Sequence, residues 1–247
     1  MEALILCGGF AKRLEPITLF VPKPLLPVNG SPLLDKILDE LENLCVDRIV
    51  ITTNRKFADQ FSYFIENKKL RGYKSKIELI VEPTLSNEQK LGAIRSIDNA
   101  IKSAGIGQDT LVIAGDNYFS SDLKGVISAF ERLGAGVIGV YDLKSLDSAK
   151  NFGVVRMDGD VIAKFEEKPE KPSSTLISTG IYVFPSTDLG LFEKYLAEKG
   201  NPDAVGYFNE WYIRQKKVYG SKIDGEWYDI GTIDTYKTLY EKFMTKK

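Results

Sequence analysis

The sequence predicts an α/β fold: a doubly wound, mostly parallel sheet with a β-rich insertion in its second half. Three observations carry this. Short apolar runs alternate with segments of helical period through residue 141, the pattern of repeated βαβ units and a parallel sheet. From residue 151 three β-rich runs follow one another. The 247 residues, 43% hydrophobic and 27% charged, suffice for a full core near the upper size of one domain, about 250–300 residues.

Residues 3–7 (ALILC) read as a buried strand. Leucines and an isoleucine at helical spacing predict a helix over 33–44, with Ser31 as N-cap and Pro32 at its first position. Strands then fall at 48–53, 76–81, 110–114 and 135–141, separated by helices at 56–67, 89–103 and 123–133. The β-rich runs are 151–157, 161–167 and 176–184, the first two joined by a Met157-Asp158-Gly159-Asp160 hairpin turn. Helices at 189–199 and 206–216, a short strand at 227–230 and a closing helix at 234–243 complete the chain. In such a fold a nucleotide site is expected at the carboxyl ends of the strands.

Charge and cysteine content narrow the function classes. The net charge is -1, so there is no basic surplus of the kind that nucleic-acid binding requires. Cys7 and Cys45 fall in segments that read as buried strand and helix and form no CxxC, which fits a reducing cytosol. The opening MEALILCGG is too short for a signal segment, and no apolar run approaches the roughly 20 residues of a membrane span. A cytoplasmic protein without membrane or nucleic-acid partners is expected.

The stretch LCGGFAKRLEPITLFVPKPLLPV follows the first strand. Gly8 and Gly9 allow close backbone approach to a ligand, and exposed N–H groups in such a turn form an anion nest. Arg13 offers a planar cationic fork and Lys23 a point charge, held by Pro22, Pro24 and Pro27. GxxxxGK[ST] is absent and GxGxxG fails. Read alone, the loop fits either a phosphate cradle or an ordinary turn with surface cations.

The order of residues in this stretch resembles the signature of the sugar-1-phosphate nucleotidyltransferases (NDP-sugar pyrophosphorylases), GGxGTRLxPxTxxxPKxLxPV. Gly8, Gly9, Arg13, Leu14, Pro16, Thr18, Pro22, Lys23, Pro24, Leu26, Pro27 and Val28 match it. Ala11 and Lys12 stand where the family often has glycine and threonine, which implies a stiffer, more basic loop. Further motifs follow in the family's order: LVIAGDNYF with Asp116, NFGVV with Gly153, FEEKP with Glu167 and Lys168, STGIYVF, and EWYDIGT with Asp229. Ser178 replaces a frequent asparagine. The segment 81–97 departs most from the pattern, although Glu82 and Gly92 fill the places of a base-reading residue and a loop glycine.

The resemblance implies a Rossmann-like, GT-A-like fold in a single domain over 1–247, with a nucleotide-binding part to about 145 and a sugar-binding and closing part from about 146. It implies the short form, without an appended left-handed β-helix domain. It implies transfer of a nucleotidyl group from an NTP to a sugar-1-phosphate, with Mg²⁺ as cofactor. The nucleotide would meet Leu6, Gly8, Gly9, Arg13, Glu82 and Gly92. The sugar phosphate would meet Asn117, Gly153, Glu167, Lys168, Thr179 and Gly180, and the metal Asp116 and Asp229. Arg13, Lys23 and Lys168 would be catalytic. An acceptor-only Glu82 would suit a base that offers N–H donors; a strand-end surface glutamate is the other reading. On a flat strand Glu167 and Lys168 would point to opposite faces unless a bulge turns them.

Rival functions remain open at this stage: a cytidylyl- or guanylyltransferase for a non-sugar acceptor, a catalytically silent regulatory subunit, or a glycosyltransferase. The last would use a DxD motif, whereas Asp158-Gly159-Asp160 reads better as a turn. The sugar, the base and the oligomeric state stay open, a homo-oligomer being one option.

Overall fold

The computed structural model describes residues 1–244. The first half winds as β1 (Glu2–Cys7), a small hairpin of β2 (Pro27–Val28) and β3 (Ser31–Pro32), α1 (Leu33–Asn43), β4 (Arg48–Asn54), α2 (Ala58–Leu70), β5 (Lys76–Glu82), α3 (Ala93–Ala104) and β6 (Thr110–Ala114). A three-residue strand β7 (Asn117–Phe119), α4 (Lys124–Leu133), β8 (Val137–Asp142) and α5 (Leu146–Ala149) lead into the second half. There β9 (Gly153–Asp158), β10 (Val161–Glu167) and β11 (Leu176–Phe184) precede α6 (Gly190–Ala197), α7 (Val205–Gln215), β12 (Tyr219–Lys222), β13 (Trp227–Asp229) and α8 (Ile233–Met244).

One nine-stranded sheet runs in the order β5-β4-β1-β6-β11-β8-β12-β10-β9. β5, β4, β1 and β6 are mutually parallel. β11 is antiparallel to both β6 and β8, and β12 lies parallel to β8. The expected α/β doubly wound fold is present, and the β-rich stretch proves continuous with the parallel sheet.

Both faces are covered because strand side chains alternate. Ala3, Ile5 and Cys7 of β1 pack with Leu34, Ile37 and Leu38 of α1 and Phe61 of α2. Leu4 turns to the other face and meets Val50, Val112 and the α3 residues Ile94 and Ile97. Every strand top in the parallel half therefore emerges at one edge, where the loop after β1 and the loop after β6 lie side by side.

Several local expectations need correction. Ser31 is not a helix cap: it pairs with Val28, and α1 starts at Leu33 with Pro32 at the cap. The cause is the Asn29-Gly30 turn, with φ of 54° and 82°, the left-handed pair that two-residue hairpins prefer. The helix expected over 89–103 starts only at Ala93, because Gly92 sits at φ 85° ahead of it. Cys45 is exposed rather than buried, in a left-handed conformation (φ 54°) just past the end of α1. β7 and β12 have no counterpart in the sequence reading.

Candidate active site

The loop after β1 is built by three short turns, the middle one Ile17–Leu19. Lys12–Leu14 forms a 3-10 turn after Ala11, whose φ of 49° and ψ of 44° are the left-handed values a glycine adopts freely. The Thr18 hydroxyl donates to the Ala11 carbonyl at 2.9 Å and fixes that bend. Lys23–Leu25 is the third 3-10 turn, with Leu25 N–H bonded to Pro22 O (2.9 Å) and Leu26 N–H to Lys23 O (3.0 Å). Lys23 is thus presented from a stiff segment, as its flanking prolines suggest.

Opposite it stand two aspartates on different parts of the chain. The β7–β13 ladder pairs Asn117 with Asp229, and Ile230 N–H reaches Asp116 O at 3.3 Å. This short ladder brings Asp116 and Asp229 together across more than a hundred residues of sequence. Gly115 is needed beneath them: its N–H bonds Leu6 O at 3.0 Å, and a Cβ there would lie 2.4 Å from Cys7 Sγ. Lys23 Nζ sits 2.6 Å from Asp116 Oδ2 and 4.0 Å from Asp229 Oδ1. Burial, and then the charge of Asp116, hold the Asp229 carboxyl well above its usual range; Lys23, Arg13 and Lys168 pull it back. Two repelling carboxylates thus share the Lys23 ammonium between them.

No cluster of three or more His, Cys, Asp or Glu occurs among the described residues, so an all-protein metal cage is absent from them. Two carboxylates do suit a hard dication that keeps waters and substrate phosphate oxygens as its other ligands. The residues present therefore fit such an ion.

The residues expected to meet the nucleotide, Leu6, Gly8, Gly9, Arg13, Glu82 and Gly92, all line the same cavity, of about 960 Å³. Glu82 is not a surface residue: it is 3% exposed, takes a hydrogen bond from Ser96 Oγ, and burial raises its pKa. A Cβ on Gly8 would lie 2.9 Å from Glu82 Oε2, so the first glycine of the loop makes room for that carboxylate. Gly92 has a different reason. A Cβ there would strike Pro202 O at 2.4 Å, and the first N–H groups of α3 are taken by Pro202 and Asp203 carbonyls. Arg13 is exposed at the mouth.

On the other side lie Gly153, Glu167, Lys168, Asn117, Thr179 and Gly180, lining the same cavity. The sequence left open how adjacent Glu167 and Lys168 share one face. β10 ends at Glu167, and Lys168 takes φ 48°, so the chain turns and Lys168 Nζ comes 3.7 Å from Glu167 Oε1. Lys144 and Lys199 also take positive φ, outside the cavity, so it is the turn toward Glu167 and not the conformation itself that matters here. Asn117 and Thr179 are largely committed to the framework. Asn117 Nδ2 donates to Thr179 O at 2.8 Å, and the Thr179 hydroxyl donates to Gly139 O at 2.9 Å. Gly180 (φ 77°) sits where β11 bulges, and a Cβ would meet Asn117 Nδ2 at 2.6 Å. Gly153 leaves space first for Phe165, whose Cζ would be 2.6 Å from a Cβ.

Sequence reasoning missed Gly115, Ser96 and the α7 residues that touch Glu167. The glycine within the α7 helix, Gly206, was the available signal.

A strand-top glycine loop, cations and a carboxylate pair thus surround one cleft, an arrangement chemically suited to phosphates. Residues 2–246 match the Nucleotidyl transferase family, and the chain belongs to it. It is 32% identical over 256 residues to the bifunctional protein GlmU of Methanocaldococcus jannaschii, covering 99% of this chain and 56% of that protein. It is 28% identical over 233 residues to a bifunctional sugar-1-phosphate nucleotidylyltransferase/acetyltransferase of Sulfurisphaera tokodaii, covering 94% of this chain and 52% of that one. The chain thus spans about half the length of the curated relatives it matches. A solved UDP-glucose pyrophosphorylase complexed with UDP-glucose shares the fold with a TM-score of 0.83 at 20% identity, covering 100% and 99% of the two chains. Among the described residues no helix is long and apolar enough to cross a membrane.

Proposed function

We propose that this protein transfers a nucleotidyl group from an NTP to a sugar-1-phosphate, giving an NDP-sugar and pyrophosphate. The observation that carries the reading is the single cavity that gathers Gly8, Arg13 and Lys23, the Asp116–Asp229 pair, and Glu167 with Lys168. A regulatory subunit without chemistry would not need all three sets in one space.

The reaction asks for no general base. A phosphate monoester's second pKa is about 6, so the sugar-1-phosphate oxygen is already a nucleophile near neutrality. That suits a chain whose 247 residues include no histidine. Catalysis is then positioning for in-line attack at the α-phosphorus plus neutralisation of charge. The loop N–H groups at Gly8 and Gly9 and the Arg13 fork hold the triphosphate and the departing pyrophosphate. Lys23 neutralises charge at the α-phosphate, and Lys168 orients the incoming phosphate. Glu167, 7% exposed along its side chain, accepts hydrogen bonds from sugar hydroxyls; its only ion pair among the described residues is the loose one to Lys168. Glu82 and the Leu6 backbone face the base. A bound Mg²⁺ would be held by Asp116 and Asp229 and would supply further charge neutralisation at the phosphates.

The test is pyrophosphate release over a grid of sugar-1-phosphates (glucose, galactose, mannose, N-acetylglucosamine) and the five common NTPs. Sugar-dependent release in the wild type, lost in a folded Asp116→Ala, supports the reading. Silence throughout, with phosphocholine then serving as acceptor, replaces it with the non-sugar alternative.

A further inference from the structure

Glu167 is gripped from behind by a helix that no catalytic motif includes. α7 lies against β10, and at its first turn Gly206 faces the Glu167 side chain. A Cβ built on Gly206 would lie 1.8 Å from Glu167 Oε2 and 2.5 Å from its carboxyl carbon. One turn later Glu210 accepts a hydrogen bond from the Glu167 backbone N–H, 2.5 Å from N to Oε1. Gly153, paired with Glu167 across the β9–β10 ladder, also borders the slot, a Cβ there falling 3.1 Å from the same Oε2. Gly206 has no positive φ, and alanine is the better helix former. The backbone therefore does not ask for glycine at this position. The space does.

From this geometry we infer that Gly206 and Glu210 of α7 are positioning residues for the acceptor substrate, seating Glu167 so that its carboxylate presents to the sugar. The inference rests on the proposed sugar-1-phosphate reading. Glu210, at i+4 from Gly206, sits on the same helix face; one residue gives the carboxylate room and the other anchors its backbone. Nothing in α7 faces the Gly8–Arg13 loop or Lys23 among the hydrogen bonds and ion pairs of the described residues. The effect falls on one substrate.

The experiment compares wild type, Gly206→Ala, Glu210→Ala and Glu210→Gln by steady-state kinetics, with the sugar-1-phosphate that the wild type turns over. For Gly206→Ala and Glu210→Ala, KM for the sugar-1-phosphate should rise about tenfold or more, while KM for the NTP and kcat stay within about twofold. Glu210→Gln keeps an acceptor oxygen and should restore the wild-type KM. Unchanged sugar KM in both alanine variants overturns the inference. So does an equal rise in both KM values, which marks a merely structural role. A crystal structure of Gly206→Ala gives a second readout that needs no turnover. A displaced Glu167 carboxylate supports the inference, and an unmoved one overturns it. If the wild type turns over no sugar-1-phosphate, the functional reading fails, and the crystal structure still decides the role of α7.

Discussion

Lys23 and the future ligands compete for the same carboxylates, which makes Lys23→Met informative in two opposite directions. Methionine keeps an unbranched apolar stem and removes the ammonium. That ammonium lies 2.6 Å from Asp116 and 4.0 Å from Asp229. At an effective dielectric of about 20 these separations correspond to gross attractions of about 6 and about 4 kcal/mol. Asp116 is 37% exposed along its side chain. Screening and desolvation reduce the net to about 1–2 kcal/mol. Removing the competitor should therefore tighten divalent-cation binding to the free protein by about 5- to 30-fold. Losing a preorganised cation at the reacting phosphate should lower kcat by about 10²–10³-fold. Mn²⁺ binding followed by electron paramagnetic resonance measures the first effect, and coupled pyrophosphate release the second. Retention of kcat within about threefold, or a weaker Mn²⁺ affinity, would refute the placement of Lys23 between the two aspartates and the phosphates.

Other outcomes follow from single contacts. Gly8→Ala puts a Cβ 2.9 Å from Glu82 Oε2, so KM for the NTP should rise while KM for the sugar-1-phosphate holds, at a stability cost of about 1–3 kcal/mol. Glu82→Gln tests the burial of that carboxyl. Because burial raises its folded pKa above the ordinary glutamate value, its contribution is full below that ordinary value and is lost as pH rises through the folded value. The wild-type stability advantage over Glu82→Gln, read from urea midpoints, should thus shrink with rising pH; an advantage that grows instead contradicts the burial. Trp227→Phe removes the 3.2 Å bond from Nε1–H to Thr179 O and should cost about 1 kcal/mol, because that carbonyl keeps Asn117 as a donor. A thermal scan checks it.

The parallel half was legible because each buried strand is a short apolar run between amphipathic helices, and Leu4 and Ile5 alternate faces as the pattern requires. β7 was not. Three residues directly after Asp116 carry no period, and they form a strand only because β13 pairs with them from over a hundred residues away. β12, with sequence YGSK, is too polar to read as a strand of the main sheet, and its place there depends on β8. The Asn29-Gly30 hairpin carried its turn signal in plain view, and the Ser-Pro helix start beside it masked that signal. In the site, the residues singled out by type gather around one cavity, whereas side-chain direction did not follow from type. Lys168 shares a face with Glu167 through one left-handed residue, and Thr179 lines the cleft while its hydroxyl is spent on Gly139. The glycines were under-read: Gly8, Gly153 and Gly206 each make way for a carboxylate or a ring rather than bending the chain.

The central claim is that a sugar-phosphate oxygen displaces pyrophosphate at the α-phosphorus. The direct measurement uses a sugar-1-phosphate carrying ¹⁸O in its phosphate, with the products read by mass spectrometry. All label should appear in the NDP-sugar, with unlabelled pyrophosphate formed in equal amount. Label in pyrophosphate or orthophosphate, or pyrophosphate released at the same rate without sugar-1-phosphate, would contradict the mechanism.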